Sequence, residues 1–316
     1  MSTDTEEANE PALALLDPKN DYVFCRLFSE EPELLVDLIN AVRSHEPPIV
    51  EVSLLDPRMS PARLSGKRLI LDLKAIDEQG QRYNIEMQVR RLSAWSARGT
   101  LYLARMLSEQ PGVGDDYHKL RPVIGIHLLD FALFDQPEHA DQALWCFELR
   151  DRTRPDVRLG RELQLNIVEL RKADRLGHLS ERLSAWIAYF EHWQEETLMS
   201  TLSHPPVQKA LGKLRAMSAD EEERYWAEAR EKALRDEATL LANAREEGRE
   251  EGRQAGLEQG REQGRQAGLE QGREQAARET ACNLIQLGAL SDAQIAQATG
   301  LTLAQVEALR ASEPDA

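Results

Sequence analysis

The chain has 316 residues, 41% of them hydrophobic, which is enough for one substantial core with material to spare. Its formal net charge of −16 excludes a protein that coats nucleic acid non-specifically, because neutralising phosphates needs a surplus of Lys and Arg. Carboxylates clustered around a divalent cation are compatible with that charge, provided some basic groups flank them. Cys25, Cys146 and Cys282 lie far apart, so the sequence predicts neither a disulfide framework nor a cysteine zinc site, and a reducing compartment fits it. The acidic stretch Met1 to Glu10 has no basic start or apolar run, and no segment approaches the ~18 uninterrupted apolar residues of a membrane span. A cytoplasmic protein without membrane contact is expected.

From Asp21 to Val42 apolar residues recur at helical spacing, with a break expected at Glu31-Pro32. Past Pro47-Pro48, residues 49–55, 69–76, 82–89 and 122–129 read as strands. A helix is expected between the last two, from about Ser93 to Gln110, stopping at Pro111-Gly112. Residues 143–150 and 162–170 suggest a strand pair at a sheet edge, and helical spacing returns from Leu179 to Thr197.

The composition then changes. GREEGRQAGLEQ at 248–259 recurs at 260–271 as GREQGRQAGLEQ, and Gly stands at every fourth position from Gly248 to Gly272. Each glycine costs about 1 kcal/mol against alanine in a helix, so two readings stand open: a helix stabilised by a partner, such as a second copy of the chain, or a spacer without fixed structure. The tail reads as three short helices, 282–287, 291–299 and 302–309. The last two resemble a helix-turn-helix, yet the recognition-helix candidate offers DNA one cation, Arg310, and a packing or docking module suits it better.

The segment LILDLKAI-DEQG-QRYNIEMQV carries the chemistry. Alternation puts Leu69, Leu71, Leu73 and Ala75 with Tyr83, Ile85, Met87 and Val89 on one apolar face. Asp72, Lys74, Asn84, Glu86 and Gln88 share the other. With Gly80 in a left-handed position of an odd-length turn, Glu86 falls directly opposite Asp72. Two such carboxylates repel, and a hard cation, Mg²⁺ or Mn²⁺, relieves the repulsion while keeping ligand positions for water and phosphate. Gln88 can orient water or a phosphate oxygen, and cannot act as a general base. By spacing alone, an ordinary solvated hairpin face is the better explanation of so weak a pattern.

The context of the pattern is more specific. DPKNDYVFCRLF (17–28), LLVDLINAV (34–42), LILDLKAIDEQGQRYNIEMQ (69–88), RGTLYLARM (98–106) and DDYHKLRPVIGIHLLDFALF (115–134) follow one another in an order that resembles the Rpn family of recombination-promoting nucleases and transposases, within the PD-(D/E)XK superfamily. The resemblance implies a restriction-endonuclease-like mixed sheet flanked by helices. It also implies a DNA endonuclease using Mg²⁺ or Mn²⁺, with Asp72 and Glu86 as metal-binding catalytic carboxylates and Gln88 in the place of the superfamily's lysine. Leu71 replaces the proline of the motif, and Cys25 stands where relatives often carry lysine.

Arg98 and Tyr102, four residues apart, share a helix face and can serve as accessory groups, Arg98 toward phosphate; core packing accounts for Tyr102 equally well. Asp21 at the first helix start is either a further acidic group or, as we favour, a capping residue. The seven histidines show no metal-ligand spacing.

The expected organisation is an acidic N-terminus at 1–14, a nuclease-like domain at 15–175 and a helical extension at 176–240. The Gly/Glu/Arg/Gln repeat at 241–280 and a small helical tail at 281–316 follow. The expected function is phosphodiester hydrolysis in DNA, in recombination or against mobile DNA; the alternative is a degenerate nuclease fold acting as an interaction module. Homo-oligomers through the repeat are a further expectation.

Overall fold

The computed structural model describes residues 14–55, 73–91, 95–110, 112 and 116–312, so the strand expected to begin at Leu69 is described only from Leu73. Two compact units divide at Arg235 and Asp236.

The first unit opens with helices α1 (Asp21–Glu30) and α2 (Pro32–Val42), separated at Glu31 because proline at the start of α2 cannot continue α1. A six-stranded mixed sheet follows: β1 (Val52–Leu54), β2 (Leu73–Asp77), β3 (Arg82–Gln88), β4 (Val123–Leu129), β5 (Leu144–Glu148) and β6 (Leu163–Glu169). Its order is β1-β2-β3-β4-β6-β5. β3, β4 and β6 run parallel, and the remaining pairings are antiparallel. Helix α3 (Trp95–Ser108) makes the crossover from β3 to β4, as a parallel connection requires. After β6 come α4 (Leu170–Leu176), α5 (Glu181–His192), α6 (Glu196–Thr201), α7 (Pro205–Ala219) and α8 (Glu221–Leu287). This is the α/β architecture expected, a mixed sheet flanked by helices.

One face of the sheet, carrying Leu73, Ala75, Tyr83, Ile85, Met87, Ile124, Ile126 and Leu128, forms the main core with α1, α2, α5 and α7. The helices after residue 176 supply Trp186, Phe190, Leu211 and Leu214 to that same core. The opposite face is apolar where α3 lies on β4 and β6, and beside it where Phe134 lies against Trp145 of β5. Under α3, Trp95 packs with Leu129 and Ile167, while Leu103 and Met106 pack with Val123.

Two glycines permit that approach. A Cβ on Gly99 would stand 3.0 Å from the ring of His127, and one on Gly125 would stand 2.8 Å and 3.1 Å from Leu165 and Leu103. No helix among the described residues is long and apolar enough to cross a membrane.

In the second unit the repeat continues α8, a single helix of 67 residues. Its surface is exposed and polar, with Glu246–Arg249, Glu250–Arg253 and Glu262–Arg265 pairs one turn apart. The segment 282–287, expected as a separate helix, is instead the end of α8, because no breaker precedes Gly288. Beyond it, α9 (Asp292–Thr299) and α10 (Leu303–Ser312) close a small core of Ala281, Ile285, Ile295, Leu301 and Val306. Arg310 is bound to Asp292, which occupies the one cation of the helix-turn-helix-like segment.

Candidate active site

The β2–β3 hairpin has the register that the sequence predicts, Leu73↔Ile85 and Lys74↔Asn84. Gly80 takes the left-handed conformation at φ +82°, and Asp77 fixes the turn by accepting from Gln79 N at 2.9 Å and Gln81 N at 2.8 Å. Asp72, the residue before β2, lies outside the described residues. Glu86, Gln88, Arg98 and Tyr102 are all described, and the first three come together.

Glu86 is 1% exposed. Its carboxylate accepts from Asn84 Nδ2 at 2.8 Å and from Gln88 Nε2 at 3.3 Å, both neutral amides. The nearest cation is the Arg98 guanidinium, 3.8 Å from Oε2, which also donates to Gln88 Oε1 at 3.3 Å. Gln88 therefore sits between the carboxylate and the cation, and Arg98 brings positive charge to the place where Gln88 itself has none. Tyr102, half-buried, lies 5.9 Å from that guanidinium.

Asp21 is elsewhere. Asn20 caps α1 by accepting from Tyr22 N, and Arg230 of α8 grips the Asp21 carboxylate through Nε and Nη2. The capping role favoured for Asp21 thus belongs to its neighbour. Cys25 is buried in the core, and Arg26 is held by Glu30 and Glu223.

Sequence reasoning missed His127. Parallel pairing of β3 with β4 sets Glu86 beside His127, which is fully buried against Trp95 at 5.1 Å between ring centroids. Burial holds the imidazole below its ordinary pKa, against the pull of the Glu86 carboxylate. Both of its ring nitrogens, with Asn84 Oδ1 and Trp95 Nε1, are buried without a hydrogen-bond partner among the described residues. Such unmet polar capacity costs about 1–3 kcal/mol per group. No helical or strand spacing signals this neighbour, because the two residues are brought together only by a parallel pairing across a crossover.

A second glutamate on the same face shows how unusual the first is. Glu169, fully buried at the end of β6, accepts from Phe134 N at 2.9 Å, Trp145 Nε1 at 2.9 Å and the Lys172 ammonium at 2.5 Å. Its charge is neutralised in place. Among the described residues Glu86 has two amides and a guanidinium at 3.8 Å, and the neighbouring Asn84 Oδ1 and His127 nitrogens are unpaired, so its oxygens fit a hydrated divalent cation. No group of three His, Cys, Asp or Glu side chains able to hold a metal occurs among the described residues, so Glu86 would need a further ligand from outside them.

The chain matches the model of the PD-(D/E)XK nuclease family transposases over residues 18–244. It belongs to that family. Glu86 and Gln88 lie two residues apart on one face of β3, within the matched residues. No curated protein and no solved structure matches the chain significantly.

Proposed function

We propose that the protein is a divalent-metal-dependent DNA endonuclease of the cytoplasm, acting in recombination or on mobile DNA. In this reading Asp72 and Glu86 hold Mg²⁺ or Mn²⁺. One observation carries it: Glu86 is a buried carboxylate beside unpaired polar atoms, and its one ion pair among the described residues, with Arg98, is 3.8 Å long on a face where Glu169 is paired at 2.5 Å. The register supports Asp72 as partner, since an extension of Leu73↔Ile85 by one residue would pair Asp72 with Glu86. A metal bound there would lower the pKa of a coordinated water and withdraw charge from the scissile phosphate.

The protein's own groups do the rest. Gln88 donates to Glu86 and accepts from Arg98, which fixes the carboxylate's orientation and the guanidinium's position together. Arg98 is 35% exposed, so it reaches a phosphate without leaving Gln88. Self-association through the repeat belongs to the same proposal; it is supported by the exposed Leu257 and Leu269 and by glycines whose missing side chains leave open surface.

The test is plasmid nicking with Mg²⁺ or Mn²⁺ beside Asp72→Ala and Glu86→Ala controls. Cleavage by the wild type and none by either variant is expected. Metal-dependent cleavage that survives both substitutions overturns the site. A wild type that neither binds divalent metal in calorimetry nor cuts leaves the interaction-module reading in its place.

A further inference from the structure

The sheet ends at β5, which pairs with β6 on its inner side and with nothing among the described residues on its outer side. Inward hydrogen bonds run through alternate residues: Glu169 N donates to Ala143 O, Leu159 N to Leu149 O, and Asp151 N to Val157 O. The residues between them therefore turn their backbone groups outward. Leu144 O is met by the Gln142 amide at 2.9 Å, whereas the N–H and C=O of Cys146 and Glu148 lie along an open edge. Natural edges of this kind are blunted by lysine, proline or a bulge, and residues 144–150 contain no lysine and no proline. Their two charges, Glu148 and Arg150, are bound to each other.

The same strand exposes apolar side chains on one face. Trp145, Phe147 and Leu149 alternate onto the α3 side of the sheet, where Trp145 packs on Phe134, and Val157 and Leu159 lie beside Leu149 in the continuing hairpin. Phe147, Leu149 and Val157 are each nearly half exposed, and Leu159 is 85% exposed. An open edge bordered by an apolar patch fits another strand. The flanks of β5 say which strand. Its N-terminal flank carries Glu138 and Asp141, both exposed and without an ion-pair partner among the described residues, and its C-terminal flank carries Arg150, Arg152, Arg154 and Arg158 against Asp151 and Asp156. Opposite charges at the two ends of one strand attract an antiparallel copy of that strand.

We propose that two copies of the chain join β5 to β5 antiparallel about a twofold axis at Phe147, so that their sheets run on as one. In this register Phe147 faces Phe147 of the second copy, Leu149 faces its Trp145, and Cys146 and Glu148 exchange backbone hydrogen bonds with its Glu148 and Cys146. Each exposed apolar side chain of the strand meets a large apolar neighbour, and the acidic flank comes abreast of the second copy's Arg152. An axis at Glu148 would set two glutamates face to face, and one at Cys146 would leave Leu149 opposite the small Ala143. The interface is distinct from the repeat and independent of the nuclease reading.

Thiol chemistry on the full-length protein reads this register directly. At a non-hydrogen-bonded antiparallel pair the Cα atoms stand about 4.5 Å apart, within the reach of a disulfide, whereas diagonal neighbours stand about 7–8 Å apart, beyond it. Cys25 is buried, so Cys282→Ser in every protein silences the one other accessible thiol. Mild oxidation of Phe147→Cys with Cys146→Ser should then give a disulfide-linked dimer in most molecules. Native Cys146 should resist oxidation into a dimer and be linked by a bismaleimide of roughly 8 Å span. Leu159→Cys with Cys146→Ser, which sets a more exposed thiol away from the axis, controls for collision and should give little dimer. In the Phe147→Cys protein, Asp141→Lys should slow disulfide formation several-fold, and adding Arg152→Glu should restore it.

Equal yields from Phe147→Cys and Leu159→Cys, or no dimer from Phe147→Cys, overturn the proposal. So does direct oxidation of native Cys146 into a dimer, which would move the axis to that residue, and so does a loss at Asp141→Lys that Arg152→Glu fails to rescue. Copies that sediment together yet give no dimer from Phe147→Cys associate through the repeat alone, which also overturns it. Melting by circular dichroism checks each variant, and bismaleimide linking of the unaltered strand keeps the test valid if Phe147→Cys unfolds. A protein that forms the disulfide but nicks no plasmid keeps the interface and loses the nuclease reading; one that cuts but forms no disulfide keeps the nuclease and loses the interface.

Discussion

The two faces of the sheet are built from the same strands, residue by alternate residue, and are finished differently. Beneath α1, α2, α5 and α7 the central strand positions are mostly apolar and closed, with Phe28, Ile39, Tyr83, Ile85 and Trp186 fully buried. On the reverse side, α3 closes β4 and β6 and leaves β3 with a glutamate, two amides and buried nitrogens that have no partners. Stability is concentrated on the first face, and the second retains groups whose burial works against stability. The comparison teaches that the same alternation which marks a core also delivers chemistry, and only the cover decides which.

The largest effect should come from the closed face. Phe28→Ala should cost about 3–5 kcal/mol, because a fully buried ring leaves a cavity among Phe24, Trp186 and their neighbours. Denaturant unfolding measures it, and a loss under about 1 kcal/mol would show that this face is not the principal core.

Glu86→Gln should divide the two faces outright. Metal-dependent cleavage should fall at least about 100-fold with loss of the charge, while the melting temperature should hold or rise, because a buried carboxylate whose described ion pair is long, at 3.8 Å, is replaced by an amide of its own shape. A variant that melts well below the wild type would mean that Glu86 is a structural group like Glu169.

Glycines give opposite signs in the two units. Gly125→Ala should destabilise by about 1–3 kcal/mol, since its methyl meets Leu165 and Leu103. Gly260→Ala meets nothing and should stabilise α8 by about 0.5–1 kcal/mol, read as residual helicity on heating. Equal signs would break the distinction.

Arg98→Gln should slow cleavage about tenfold to a hundredfold, and adding Gln88→Lys to it should recover part of the loss by returning a cation to the same place. Gln88→Lys alone sets an ammonium against the Arg98 guanidinium and should not improve on the wild type. A lysine variant that gains activity in the presence of Arg98 would show that the two cations do not compete.

The smallest effect is at His192, whose hydrogen bonds to Glu195 and then to Asp174 raise its pKa. A raised folded-state pKa gives stability that is complete below the ordinary histidine pKa and is lost as pH rises through the folded value. The stability difference between wild type and His192→Gln should therefore be larger at acidic than at alkaline pH, and a difference independent of pH would remove the bridge from the account.

Most of the fold was legible because it rests on local signals. Proline at 32 ends α1, alternation marks β3, and Gly80 with an odd-length turn fixes the hairpin register. What escaped lies between distant segments. His127 meets Glu86 only through a parallel pairing, and Arg230 claims Asp21 from far along the chain. Nor did a periodicity argument show that the helices after residue 176 complete the sheet's own core, since an amphipathic face does not name its partner. The repeat is the reverse case: its sequence left helix and spacer equally open, because charge and glycine both oppose burial, and it forms one helix with Glu–Arg pairs a turn apart.

Gly99 has a consequence for how such a chain loses its activity. The height of α3 above the sheet, and with it the reach of Arg98 to Gln88 and Glu86, is limited by hydrogen where any other residue has carbon. One added methyl would press on His127 and lift the helix by a few tenths of an ångström, leaving Asp72, Glu86 and Gln88 as they are written and the main core untouched. A lineage could fall silent by that route with its motif intact, so the letters of the motif record ancestry more faithfully than they record present chemistry.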